Sequence, residues 1–127
     1  MATGFKRVTP TLRMFDTAKA REFYLDFLGF SVVFEHRFEP ALPLFMRVRL
    51  DEAELNLSEH HGDASPGASV TIATSGLAEY RAVLLAKAYG YARPGLVNQP
   101  WGDTTMTVTD PFFNRLIFSE SLGHERD

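Results

Sequence analysis

The sequence contains no cysteine, which excludes disulfides, thiolate nucleophiles and every cysteine-based zinc or iron–sulfur site. It has no basic tract and a formal net charge of −3, so we expect no nucleic-acid partner. No apolar run approaches the roughly 18 residues that a membrane-spanning helix needs, so we expect no membrane partner. The N-terminal residues lack the hydrophobic core of a signal peptide, and the predicted location is therefore the cytoplasm.

The composition is that of one globular domain. The chain has 127 residues, of which 45% are hydrophobic and 23% are charged, and this length is sufficient to bury a core. Aromatic residues are numerous, with 11 Phe, 4 Tyr and 1 Trp making up 13% of the chain. Some of these must be core residues, and the rest are enough to line a cavity.

The sequence predicts an internal repeat that begins with two helices. One helix is predicted after the N-cap Asp16 and ends at Gly29, and the other begins at about Ser75 and ends at Gly90. An aromatic residue follows each closing glycine, and the two aromatic residues are 61 positions apart. Such a regular spacing is typical of a duplicated unit.

The same offset continues through the strands that follow each helix. Alternating segments recur in the same order in both halves, which chance matches would not do. The matched pairs at 61 are Leu55 with Leu116, Leu57 with Phe118, Ser58 with Ser119 and Glu59 with Glu120. The sequence of each half therefore predicts one strand, followed by a helix and three more strands. We predict an α+β fold with module one at about 5–59, a linker at about 60–67, module two at about 68–120 and a short charged tail at 121–127.

A curved sheet with one helix leaves one of its two faces uncovered. The period-two alternation directs Leu55, Leu57, Leu116 and Phe118 toward the helices. The residues between them then face the open side, and they include Asn56, Ser58, Arg115 and Ile117. Two such sheets with their helices on the outer face form a trough, and we predict that this trough is a binding site.

Two βαβββ units with FYLDFLGF in the first helix and DPFFNRLIFSE at the end of the second unit resemble the vicinal oxygen chelate superfamily. This superfamily contains glyoxalase I, bleomycin resistance proteins and extradiol dioxygenases. The stretches HRFEPALPLFM, LNLSEHHGDASPG and QPWGDTTMTVTDP look like the bleomycin resistance branch, which implies a role in antibiotic resistance. The resemblance implies half-open barrels of mixed sheets, and a homodimer with a cavity where the chains meet.

The resemblance also implies where a divalent metal would bind. Matching the strand patterns puts Thr9, Asn56, Val70 and Ile117 at the four ligand positions. A catalytic metal needs about three imidazole, carboxylate or thiolate ligands, and Val and Ile cannot ligate at all. We therefore expect no metal and no cofactor. The alternative is a metal-dependent lyase, isomerase or thiol transferase of the same superfamily, or an enzyme that uses His60.

Other residues are candidates for ligand contact. His60 and His61 lie beside carboxylates, but adjacent side chains of an extended chain point to opposite sides, so we expect only His60 to face the trough. The competing interpretation is a solvated linker. Arg47 and Arg115 lie at strand positions that face the trough, where they could bind an anionic group of a ligand. The alternative is that they pair with Asp51, Glu52 or Glu54 on a solvated edge. Trp101 lies in a Pro/Gly loop, where it is either a lid or a packing residue.

Three phenylalanines complete the predicted trough, and they are Phe34, Phe38 and Phe45. One local feature departs from the family pattern, because the closing turn usually reads D-P-x-G-N and this chain has Phe at position 113. If that position requires a positive φ, Phe is a costly occupant, so either Asn114 takes the left-handed conformation or the turn is rebuilt. The sequence thus predicts a metal-free protein that sequesters an amphipathic or aromatic small molecule, with bleomycin as one possible ligand.

Overall fold

The computed structural model describes residues 2–121, so the predicted tail beyond position 121 lies outside the described residues. Module one contains β1 (Thr11–Arg13), helix α1, β2 (Ser31–His36), β3 (Phe45–Leu50) and β4 (Ala53–Ser58). Helix α1 is α-helical over Thr17–Ala20 and π-helical over Arg21–Phe27. Module two contains β5 (Ser69–Ala73), α2 (Leu77–Ala86), β6 (Val97–Asn98), β7 (Asp103–Thr109) and β8 (Arg115–Ser121). The predicted pair of βαβββ modules is confirmed.

Each module builds one four-stranded mixed sheet, and neither sheet closes into a barrel within residues 2–121. The strand orders are β1-β4-β3-β2 and β5-β8-β7-β6. The first strand of each module pairs in parallel with the last, and the other pairs are antiparallel. In this part of the chain, no helix has both the length and the hydropathy required to cross a membrane.

The strand register corrects one sequence-based prediction. Thr11 lies beside Asn56, and Thr71 lies beside Ile117. The first strands of the two modules therefore correspond at an offset of 60 residues, whereas the last strands correspond at 61. Val70 pairs with Leu116 and packs against the core, so its predicted alignment with a metal-ligand position is wrong.

The first helix begins and ends close to the predicted residues, and the second begins close to its predicted start. The side chain of Asp16 accepts a hydrogen bond from the Lys19 amide at 3.0 Å, which confirms the predicted N-cap. At α2 the carboxylate of Glu120 accepts hydrogen bonds from the amides of Gly76 and Leu77 at 2.9 and 3.1 Å. A residue of β8 therefore caps the second helix. This helix ends at Ala86, before the predicted end at Gly90, and Ala88 beyond it is exposed with a φ of 52°.

One hydrophobic core spans both modules. It consists of the inner faces of both sheets and the buried sides of both helices, including Phe23, Tyr24, Met46, Leu57, Leu84, Met106 and Phe118. Polar contacts also cross between the modules. Tyr80 donates its hydroxyl proton to the Leu28 carbonyl at 2.6 Å, and Lys87 Nζ donates to the Phe27 carbonyl at 2.7 Å. These two hydrogen bonds give partners to backbone carbonyls at the end of α1, which have no partner within the helix.

The turn between β7 and β8 holds a buried polar cluster. Asp110 accepts hydrogen bonds from the Tyr24 hydroxyl at 2.6 Å, from the Phe112 and Asn114 amides at 2.8 Å, and from Asn114 Nδ2 at 2.9 Å. Asn114 Nδ2 also donates to the Arg13 carbonyl at 2.8 Å, which ties the turn to module one. Burial, followed by the nearby Asp110 carboxylate, raises the pKa of Tyr24 well above its usual value, so its hydroxyl keeps the proton that it donates.

Phe113 itself adopts the left-handed conformation in this turn, with a φ of 72°. Neither sequence-based alternative is correct, because Asn114 is not among the residues with positive φ and the turn still closes through Asp110. The side chain of Phe113 is 74% exposed, so it gains little burial in return for the backbone strain. Glycine at this position would adopt the same φ without a steric cost.

Substitution of Phe113 by glycine should therefore stabilise the protein. We expect the free energy of unfolding to rise by up to about 1 kcal/mol, because relief of left-handed strain exceeds the extra entropy of glycine in the unfolded chain. Thermal unfolding followed by circular dichroism would show this as an increase of about 2–4 °C in Tm. A Phe113→Gly variant that unfolds at a lower temperature than the wild type would contradict the strain argument.

Candidate functional site

The open face of the first sheet carries a row of four side chains, one from each strand. Phe34 of β2 lies opposite Arg47 of β3, Arg47 lies opposite Asn56 of β4, and Asn56 lies beside Thr11 of β1. Arg47 Nε donates to Asn56 Oδ1 at 2.7 Å, and Asn56 Nδ2 donates to Thr11 Oγ1 at 3.2 Å. The guanidinium carbon of Arg47 is 5.1 Å from the centroid of the Phe34 ring. Thr9, which was predicted at the first metal-ligand position, precedes β1 by two residues, and Thr11 lies beside Asn56 instead.

A β-bulge brings Phe34 to this face. Val32 lies opposite Val48, and regular pairing would then place Val33 opposite Arg47. The register shifts between Val32 and Phe34, so Phe34 takes that place instead. Its ring stacks on Phe45 with a centroid separation of 6.1 Å and an interplanar angle of 22°. The bulge therefore assembles two of the predicted aromatic residues into one surface.

The remaining predicted residues of module one lie toward the end of this face. Ser58 lies opposite Phe45 but is fully buried, because its hydroxyl donates to Asp63 Oδ2 at 2.7 Å and the linker turn covers it. The His60 amide donates to Ser58 Oγ at 3.1 Å, which fixes the start of that turn. Phe38 follows β2, is exposed and lies edge-on to His36 at 4.7 Å. In this arrangement Ser58 presents no accessible atom to a ligand.

Arginines give the first open face its charge. Glu54 accepts hydrogen bonds from Arg49, with Nε at 2.9 Å, and forms an ion pair with Arg7 at 3.2 Å. The hydrogen bond from Arg49 lowers the pKa of Glu54, against the opposing effect of desolvation, and the charges of Arg49, Arg7 and Arg47 lower it further. Three arginines therefore lie near the Glu54 carboxylate, so positive charge exceeds negative charge in its immediate surroundings.

The open face of the second sheet is uncharged at its centre. Ile117 lies between Thr71 of β5 and Thr107 of β7. Arg115 lies at one end, beside Ser69, and its exposed side chain makes no hydrogen bond or ion pair with other residues of the described chain. Trp101 lies in the loop between β6 and β7, where it is 61% exposed and donates its indole proton to Asp103 Oδ2 at 3.1 Å. These side chains offer an apolar and hydroxyl-rich surface with one cation at its end.

The residues at the expected metal positions do not fit a divalent metal. Ile117 has no donor atom, and Val70 has none and lies on the core side. Both polar atoms of the Asn56 amide are already used in hydrogen bonds to Arg47 and Thr11. Over residues 2–121, His, Cys, Asp and Glu side chains form no group of three that could hold a metal ion. No chemical step can therefore be derived through a metal at these positions.

A family model described as "Glyoxalase superfamily protein" matches residues 1–125. The chain belongs to this family. No curated protein matches it in sequence.

Solved structures show that this glyoxalase superfamily protein shares its fold with bleomycin-binding proteins. One is the bleomycin-binding protein of bleomycin-producing Streptomyces verticillus in complex with copper(II)-bleomycin, with a TM-score of 0.70, 25% identity and coverage of 97% of this chain and 100% of the other. Another is the bleomycin resistance determinant encoded on transposon Tn5, with a TM-score of 0.71, 22% identity and coverage of 92% and 98%. A superfamily member from Sphaerobacter thermophilus has a TM-score of 0.66, 23% identity and the same coverage.

Sequence reasoning missed two components of the open face in this glyoxalase superfamily protein. Thr11 lies on the predicted open face. Its pairing with Asn56 depends on the register between the parallel strands β1 and β4, and the alternation of polar and apolar residues does not determine that register. The contact of Arg7 with Glu54 was also missed, because Arg7 belongs to a segment without regular secondary structure. Glu54, one of the carboxylates that the sequence offered as partners of Arg47, instead accepts from Arg49, and Arg47 bonds Asn56.

Proposed function

We propose that this protein is a metal-free small-molecule-binding protein that sequesters an amphipathic aromatic compound carrying an anionic group. The observation that supports this most directly is the contiguous row of Phe34, Arg47 and Asn56, which lies near the arginines around Glu54 on the first open face. Binding would consist of stacking and apolar burial, and no covalent step is required. A cytoplasmic location is part of the proposal, and resistance would follow if the compound were an antibiotic.

The arginines specify the charge of the ligand. Arg47 uses Nε for its bond to Asn56, which directs the guanidinium across the Phe34 ring and leaves its two terminal nitrogens for a ligand oxygen pair. A planar carboxylate could therefore meet the guanidinium while its aromatic part stacks on Phe34 and Phe45. The same positive charge makes a cationic compound such as bleomycin a poorer match, although proteins of the same fold bind bleomycin.

A second copy of the chain would complete the trough. Phe38 and Trp101 are mostly exposed, and they belong to the two different modules of one chain. In the proposed homodimer, the first open face of one copy opposes the second open face of its partner, so that the ligand lies between an aromatic, cationic wall and a threonine-rich wall. Burial of the exposed N-terminal side chains of Phe5 and Val8 would add apolar area to the contact.

The proposal predicts selectivity between two ligands of equal size and opposite charge. We expect 2-naphthoate to bind at least about 10-fold more tightly than 2-naphthylmethylammonium, because only the former can pair with Arg47. Isothermal titration calorimetry measures both affinities, with metal-free bleomycin as a third ligand. Sedimentation velocity tests the dimer, and metal analysis tests the metal-free state.

Three results would count against the proposal. Equal affinity for the two naphthyl compounds would contradict the preference for an anionic ligand. A protein that is monomeric at micromolar concentration would contradict a trough shared between two subunits. Stoichiometric zinc, nickel or iron in the folded protein would support the alternative, a metal-dependent lyase, isomerase or thiol transferase.

A further inference from the structure

A second pocket lies beside α1, apart from the row formed by Phe34, Arg47 and Asn56. It has a volume of about 280 Å³ and lies between α1, the segment that follows α2, and the end of β7. Its lining consists of Lys19, Glu22, Phe23, Tyr89, Tyr91, Thr109, Asp110 and Pro111. Neither the proposed trough nor the expected metal positions use any of these residues.

Two tyrosines form the walls of this pocket at nearly a right angle. The rings of Tyr89 and Tyr91 have a centroid separation of 5.5 Å and an interplanar angle of 71°. Tyr89 is held in place because it stacks on Phe27 at 4.7 Å and donates its hydroxyl proton to Glu22 Oε1 at 3.0 Å. Burial, with a further contribution from Glu22, raises the pKa of Tyr89 to about 12, so this donor remains protonated at neutral pH. Tyr91 is 78% exposed and forms the outer wall.

The charges around the tyrosines favour a cation. Glu22 and Asp110 contribute two carboxyl groups, whereas Lys19 contributes the one ammonium group of the lining. Lys19 Nζ lies 5.5 Å from the centroid of the Tyr91 ring and 4.0 Å from Glu22 Oε1. The chain thus already places an ammonium group against the aromatic wall. Because the Lys19 side chain is half exposed, it can leave for water when another cation enters.

We propose that this pocket binds the ammonium group of a small alkylammonium compound, which displaces Lys19 from the face of Tyr91. The ring faces of Tyr89 and Tyr91 attract a cation through their quadrupoles, and Glu22 adds a negative charge at the same wall. The pocket has room for a trimethylammonium group with a short substituent.

Choline and its neutral isostere 3,3-dimethylbutan-1-ol test the proposal on the full-length protein. We expect choline to bind with a dissociation constant of about 1 mM and the alcohol to bind at least about 10-fold more weakly. Ring currents should shift the N-methyl proton signal of bound choline upfield, which nuclear magnetic resonance detects directly. Tyr91→Ala should remove this shift and most of the affinity, and Tyr91→Phe should restore both.

Lys19 provides the sharper test, because its role determines the sign of the effect. Lys19→Ala should increase the affinity for choline severalfold, since the competing ammonium is gone, whereas the charge-matched control Lys6→Ala should leave the affinity unchanged. Weaker or unchanged binding to Lys19→Ala would overturn the proposal, and so would equal binding of choline and the alcohol. These results are independent of the trough, because Phe34→Ala should not alter choline binding.

Discussion

Replacement of Asp110 by alanine should lower the free energy of unfolding by about 3–5 kcal/mol. The carboxylate is buried and accepts four hydrogen bonds, from the Tyr24 hydroxyl, the Phe112 amide, and the amide and side chain of Asn114. Alanine would leave those donors inside the protein without an acceptor, and each unsatisfied donor costs about 1–3 kcal/mol before relaxation and water entry reduce the sum. Urea unfolding followed by circular dichroism measures the change.

The matched control for this variant is Asp26→Ala, which removes a carboxylate of the same type from an exposed position on α1. Its free energy of unfolding should stay within about 0.5 kcal/mol of the wild-type value. A loss of less than about 1 kcal/mol for Asp110→Ala would show that the cluster does not stabilise the fold. Tyr24→Phe removes one of the four donors, and its effect should not be additive with that of Asp110→Ala, because the two side chains share a hydrogen bond.

The sequence predicts the internal repeat of this fold well, because short sequence patterns mark the helix ends and the strands of each module. The N-cap of α1 at Asp16, the glycine at its end and the alternation in the strands are each readable over a few residues. The positions of Asn56 and Arg47 on the open face follow from period-two alternation alone. These local signals were sufficient for the module order and for most of that face.

Long-range geometry is what the sequence could not supply. The face on which Val70 lies depends on the register between the parallel strands β5 and β8. The face on which Phe34 lies depends on the β-bulge at Val33. The burial of Ser58 depends on a turn in the linker that folds over the strand end. In each case a one-residue shift in strand register, or one contact with a distant part of the chain, decides which way a side chain points. The neighbouring residues in the sequence do not determine that shift or that contact.

Phe34→Ala should weaken the binding of 2-naphthoate by about 10- to 100-fold, which corresponds to about 1.4–2.7 kcal/mol. Phe34 forms one aromatic surface with Phe45 and lies beneath the guanidinium of Arg47, so it would contact both the ring and the anionic group of the ligand. Its side chain is partly exposed, so its removal should cost little stability. Isothermal titration calorimetry gives the affinity, and urea unfolding gives the stability.

Phe113→Gly is the matched control, because it also removes an exposed phenylalanine but from a turn outside the trough. It should leave the affinity for 2-naphthoate unchanged. Arg47→Lys keeps the charge but loses the planar pair of donors, so it should weaken 2-naphthoate binding and leave the binding of neutral naphthalene derivatives nearly unaltered. If Phe34→Ala and Phe113→Gly have equal affinities, the ligand does not contact the row formed by Phe34, Arg47 and Asn56. If the affinity of Phe34→Ala falls only in proportion to a loss of folded protein, the role of Phe34 is structural.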